Sequence, residues 1–86
     1  MIDNAVDWVV STDVLEHIPP EMVDDTIAEL YRIARKGQIH NIATFKGHTY
    51  LGHDVHLSVH PIEWWRAKFA EHNRAGQQMH ITERGV

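Results

Sequence analysis

Residues Asp7–Thr44, DWVVSTDVLEHIPPEMVDDTIAELYRIARKGQIHNIAT, decide the fold. The stretch opens on Trp8-Val9-Val10, β-branched and aromatic residues with no polar alternation. That pattern suits a strand covered on both faces and predicts a buried strand over Ala5–Thr12. Pro19-Pro20 are excluded from a helix interior, but Pro20 fits a first helical turn. Glu21, Asp24 and Asp25 then stand where negative charge favours a helix N-terminus. From Glu21 to Arg35, Val23, Ile27, Leu30 and Ala34 recur at helical spacing as one apolar stripe. Arg32, Arg35 and Lys36 gather at the far end, and Gly37 reads as the C-cap. A second strand is expected over Gln38–Phe45, around Ile39 and Ile42. A strand, helix and strand in this order predict a parallel pair joined by a right-handed crossover.

Beyond it lies a polar segment, KGHTYLGHDVHLSVH, whose Gly47, Gly52 and four histidines mark an irregular and potentially functional loop. Pro61 fits the first turn of a second helix running to about Asn73, with Ile62, Trp65 and Phe69 on its inward face. Trp64 is turned away from that face, and Gly76 can end the region. Gln77–Glu83 is a third strand candidate. Residues 1–86 therefore read as a single α/β domain, an open parallel sheet of three strands with two helices. Such a half-sheet leaves strand edges and one face uncovered, so the sheet is expected to be completed by oligomerisation or by a missing N-terminal half. The three tryptophans suit either a small core or such an interface.

Composition narrows the function classes. The chain has 86 residues, 43% hydrophobic and 23% charged, which is ordinary for a globular domain. It has no cysteine, which excludes disulfides, thiol nucleophiles and thiolate zinc sites. No apolar run approaches the length of a membrane span and no signal-peptide pattern opens the chain, so a soluble cytoplasmic protein is expected. The net charge of −4 does not suggest nucleic-acid binding through a basic surface. Eight histidines make that charge sensitive to pH near neutrality.

Chemistry concentrates in Ser11–His17, STDVLEH, at the carboxyl end of the first strand. Ligands of open α/β sheets sit at that end. If Asp13 begins a helical turn, its spacing of three to Glu16 and four to His17 brings the three side chains together. Such a group could face a ligand, bind a divalent cation, or do acid/base work through His17. It could equally be structural, with Thr12 or Asp13 capping backbone N–H groups and His17 half-buried.

The same stretch resembles class I S-adenosylmethionine-dependent methyltransferases from their fourth strand onward. Ser11, Asp13 through Ile18, and Glu29 through Ile33 carry the resemblance, which extends through HLSVHPIEWWRAKFAEHN to Asn73. It implies a partial Rossmann-like sheet whose first loop lies beside cofactor and substrate. Ser11, Asp13 and Val14 would then face S-adenosylmethionine, and Glu16 and His17 would be catalytic, with His17 the candidate base. Some members use a similarly spaced carboxylate–carboxylate–histidine group to bind a divalent ion, here Asp13, Glu16 and His17. The family's glycine-rich cofactor turn has no counterpart in these residues. The expected function is methyl transfer to an unknown acceptor, for which a small molecule is one candidate, once that half is supplied, by a partner or another copy. A non-enzymatic interaction module and, more distantly, a divalent-metal-dependent hydrolase are the alternatives.

In HDVHLSVH, His56 and His60 would share a face if helical; if extended, Leu57 and Val59 would turn inward. Pro61 disfavours helix at His60. His56 could also join Glu16 and His17 across the fold. His40 and His80 read as sheet-edge or surface residues, and His72 as a helix C-terminal cation. Ser11 and Ser58 lie in no nucleophile motif.

Overall fold

The computed structural model describes residues 5–45, 47, 49–50, 53–74 and 76–84. Lys46, His48, Leu51 and Gly52 of the histidine-bearing loop lie outside the described residues. Five strands and two helices follow one another: β1 (Val6–Thr12), α1 (Val23–Ile33), β2 (Ala34–Ala43), β3 (Thr49–Tyr50), β4 (His53–Asp54), α2 (Ile62–His72) and β5 (Gln78–Arg84). The main sheet runs β1-β2-β5, all parallel, and β3 pairs with β4 as a short antiparallel hairpin. A small α/β domain with a three-stranded parallel sheet and two helices is therefore present. Among the described residues, no helix is long and apolar enough to cross a membrane.

Both helices cover the same sheet face. Ile27 of α1, Trp65 and Phe69 of α2, Ile42 of β2 and Ile81 of β5 form one buried cluster with Leu15, Val23 and Ile62. The Tyr31 hydroxyl donates to the Phe69 carbonyl at 2.6 Å, tying α1 to α2. Burial pushes the Tyr31 phenol up to about 12. At the start of α1, Asp24 accepts hydrogen bonds from His72 at 3.0 Å and Lys68 at 3.1 Å, and these hold its carboxyl below the usual range.

The α1–β2 boundary differs from expectation. The helix stops at Ile33, and Ala34 is already extended. Ala34 fits the helical stripe, but it pairs with Val6 of β1 and is fully buried as a strand residue. Gly37 is accordingly not a helix cap. It stands in β2 opposite Trp8, whose ring lies across it; a Cβ there would come within 2.6 Å of that ring and 2.5 Å of the Gln78 carbonyl oxygen.

His40 also departs from its reading as a sheet-edge residue. It occupies the central strand on the helix side, 0% exposed, where the imidazole lies against Phe69 with ring centroids 4.9 Å apart. A polar chain satisfies it. Gln38 donates its amide to Gln77, so its Oε1 accepts from His40 Nε2–H at 2.8 Å. His40 Nδ1 then accepts the Ser11 hydroxyl proton at 2.6 Å. Burial pushes the His40 pKa down to about 4.

The opposite sheet face has no helix over it among the described residues. Trp8, Val10 and Ile39 lie there, 37%, 65% and 43% exposed. The expectation that β1 is buried on both faces is thus not met: Val9 and Ser11 are half-buried on the helix side and the other strand residues are exposed.

Candidate metal centre

The site forms where β1 ends. Asp13 takes the left-handed conformation, φ 58°, while its N–H still donates to the Asn41 carbonyl at 3.1 Å. That conformation disfavours most side chains, and aspartate is among the few that tolerate it. The chain then makes a single 3₁₀ turn, Leu15–His17, which sends Leu15 into the core and buries Glu16 completely.

The turn holds the histidine-bearing segment in place. The Glu16 carbonyl accepts N–H bonds from Leu57 at 2.9 Å and Ser58 at 3.0 Å. The Ser58 hydroxyl donates to the Ile18 carbonyl at 2.5 Å. These bonds bury Ser58 and turn Leu57 and Val59 outward, the reverse of the extended reading. Residues 55–60 have no regular structure, so His56 and His60 share no helix face. His60 instead stacks on Trp64 with centroids 3.6 Å apart.

The Glu16 carboxylate splits its two oxygens. Oε1 accepts the Ala43 N–H at 3.3 Å. Oε2 is buried and has no hydrogen-bond partner among the described residues. His17 Nε2 lies 3.7 Å from that oxygen. His17 Nδ1 bonds to the Val55 carbonyl at 2.6 Å, and His56 Nδ1 to the Phe45 carbonyl at 2.8 Å. A carbonyl only accepts, so each Nδ1 carries a proton, and in the neutral ring the Nε2 lone pair is the one left for a ligand. The two rings meet edge to face with centroids 4.8 Å apart. One ligand atom from each of Glu16, His17 and His56 lies within 4.8 Å of the other two.

This donor set fits a divalent cation. One carboxylate and two imidazoles, with both rings oriented by backbone carbonyls, match the composition and support of three-ligand zinc-type sites that keep a position open. An unpartnered buried carboxylate oxygen is costly without a positive partner, and a cation shared with the neighbouring imidazoles would supply one.

Asp13 is absent from this group. Its left-handed turn directs the carboxylate toward β5, where Arg84 Nε lies 3.4 Å from Oδ1. The Arg84 guanidinium also lies 5.9 Å over the Phe45 ring. Thr44 donates its hydroxyl to Glu83 at the same end of the sheet. Val14 is exposed, and Ser11 directs its hydroxyl to His40. Sequence spacing therefore brought together Glu16 and His17 but could not exclude Asp13. The Phe45 and Val55 carbonyls that orient the rings leave no sequence signal, because every residue type carries the same backbone. A separate cleft of about 480 Å³ runs between α2 and β5, lined in part by Arg66, Phe69, Asn73, Met79 and Ile81, and includes none of the three ligand candidates.

A scan of protein-family models, a search of curated proteins and a search of solved structures each return no match to this chain.

Proposed function

We propose that this chain forms the cation-bearing part of an S-adenosylmethionine-dependent methyltransferase-like unit, transferring a methyl group to an acceptor once a cofactor-binding half is supplied. The observation that carries the cation reading is Glu16 Oε2, buried without a partner beside two imidazoles whose Nδ1 atoms are fixed on carbonyls. The methyl-donor side rests on the resemblance of STDVLEH and its following helix, and on the position of that loop at the carboxyl ends of a parallel sheet.

Glu16, His17 and His56 would hold the cation. Bound there, it would supply Lewis-acid chemistry that makes an acceptor oxygen easier to deprotonate. Two nitrogens among three donors favour zinc or cobalt over magnesium, which prefers oxygen ligands. His17 as a ligand uses the lone pair that a general base needs, so the two roles exclude one another. Asp13 and the exposed Val14 stand at the rim of the mouth, on the side proposed for the methyl donor. Ser11 stabilises that rim through His40.

Calorimetry tests both parts. Zinc or cobalt should bind the wild type at one ion per chain, with magnesium at least about tenfold weaker. Glu16→Gln should abolish that heat while leaving the metal-free fold no less stable, because the new amide can donate to a neighbouring imidazole nitrogen. Absence of saturable zinc and cobalt binding would remove the cation centre. S-adenosylmethionine should then give only weak heat, saturating in the millimolar range, with the metal-loaded chain, because these residues carry no glycine-rich turn, and Asp13→Ala should weaken it further. A flat titration at millimolar cofactor would take the methyl donor away from this chain's own residues. A second reading, a non-enzymatic oligomeric module, is favoured by the exposed Trp8, Val10 and Ile39.

A further inference from the structure

Gly47 stands beside the His56 ring at a spacing no other residue permits. A Cβ built there would lie 2.8 Å from both Cγ and Cδ2 of the imidazole and 2.9 Å from Val55 Cγ2. Ordinary carbon contacts lie at about 3.5–4.0 Å. The ring is already fixed on its other sides. Its Nδ1–H donates to the Phe45 carbonyl at 2.8 Å, the Phe45 ring lies 5.4 Å away, and the His17 ring lies 4.8 Å away edge-on. The chain behind it is held by the bonds from Leu57 and Ser58 to the Glu16 carbonyl. A methyl group at position 47 therefore has to displace either the imidazole or the backbone that carries it.

We propose that Gly47 is a positioning residue of the metal centre: its missing side chain lets the His56 imidazole lie against the backbone, keep Nδ1 on the Phe45 carbonyl, and present Nε2 to Glu16 and His17. This inference rests on the cation reading for its consequence and on ring geometry for its cause. Gly47 offers no ligand atom itself; it acts on the His56 ring and adjoins Val55, whose carbonyl orients His17. The loop glycine is thus explained by close approach of a side chain rather than by a left-handed turn, the role that Gly76 serves at φ +67° with nothing near it.

The test compares wild type, Gly47→Ala and Gly76→Asn, the last a control for loss of a loop glycine at a site where asparagine tolerates the backbone. Cobalt affinity should fall about 10–100-fold in Gly47→Ala, the range expected when a ligand's orienting partner is lost. The cobalt visible absorption bands should change shape, and Gly76→Asn should match wild type in both. Nitrogen NMR of His56 without metal supplies an independent readout. Wild type should show the Nδ1–H tautomer, and Gly47→Ala should show a mixture.

If wild type binds no cobalt, the cation reading fails, and the tautomer comparison alone decides whether Gly47 positions the ring. Should Gly47→Ala fail to fold, adding His56→Ala together with Val55→Ala should restore folding and Val55→Ala alone should not, because the methyl group meets both side chains and the imidazole most closely. Wild-type cobalt affinity together with a wild-type tautomer in folded Gly47→Ala would overturn the proposal, as would rescue of an unfolded Gly47→Ala by Val55→Ala alone or failure of the combined change to rescue it.

Discussion

His40 shows how a single residue sets a pH response for the fold. An imidazole pushed from 6.5 down to about 4 by burial binds fewer protons folded than unfolded across that interval. Its contribution is present above pH 6.5 and is lost as pH falls toward 4, up to about 3 kcal/mol. The Asp24 carboxyl, held below 3.8 by His72 and Lys68, loses its contribution only under more acid conditions. His60 shifts in the same direction as His40, through burial and Lys68, so the comparison must be between variants. His40→Gln keeps a donor for Gln38 and an acceptor for Ser11 but does not titrate. Urea unfolding at pH 7 and pH 4 should show wild type losing more stability than His40→Gln by about 2 kcal/mol. Equal losses would show that His40 is not the buried acid-sensitive group. Glu16 and His40 share one lesson at this scale: both are 0% exposed, yet only His40 has all its polar atoms satisfied by protein.

At the scale of elements, Gly37 decides how β1 and β2 pack. The Trp8 ring lies against it, and the Gln78 backbone approaches from β5. Gly37→Ala forces both away, and overpacking of this kind costs about 1–3 kcal/mol. The loss should appear in denaturation and be accompanied by altered Trp8 fluorescence. Unchanged stability with an unchanged spectrum would mean that Trp8 does not lie across this strand. The strand–helix–strand order was legible because apolar period changes from continuous to 3.6 and back. The helix end was not, because Ala34 fits an apolar stripe and a buried strand equally, while Gly37 fits a C-cap and a close approach equally. In the same way, the local trio at the β1 mouth was visible as spacing, but left-handed Asp13 took one carboxylate out of it. His56 enters from 39 residues beyond His17, through bonds between backbone groups and therefore invisible in residue types.

At the scale of the molecule, two helices on one face leave a parallel sheet half covered. Parallel sheets are found with both faces buried, and here Trp8, Val10 and Ile39 form an apolar strip on the open side. An exposed strip of this kind marks an interaction surface, and the occupant proposed for it is a partner half or another copy. The candidate metal centre lies elsewhere, at the carboxyl end of β1 and on side chains that the strip does not include. The proposed association and the proposed cation binding are therefore separable by substitution. Val10 is 65% exposed, so Val10→Lys should change the stability of the isolated chain by no more than about 0.5 kcal/mol. Placing a charge on the strip should nevertheless abolish association. Sedimentation should resolve wild type as larger than a monomer at high micromolar concentration and Val10→Lys as a monomer, with zinc affinity the same in both. A wild type that stays monomeric would rule out a second copy as the cover. A variant that still associates would move the interface to the free edges of β1 or β5.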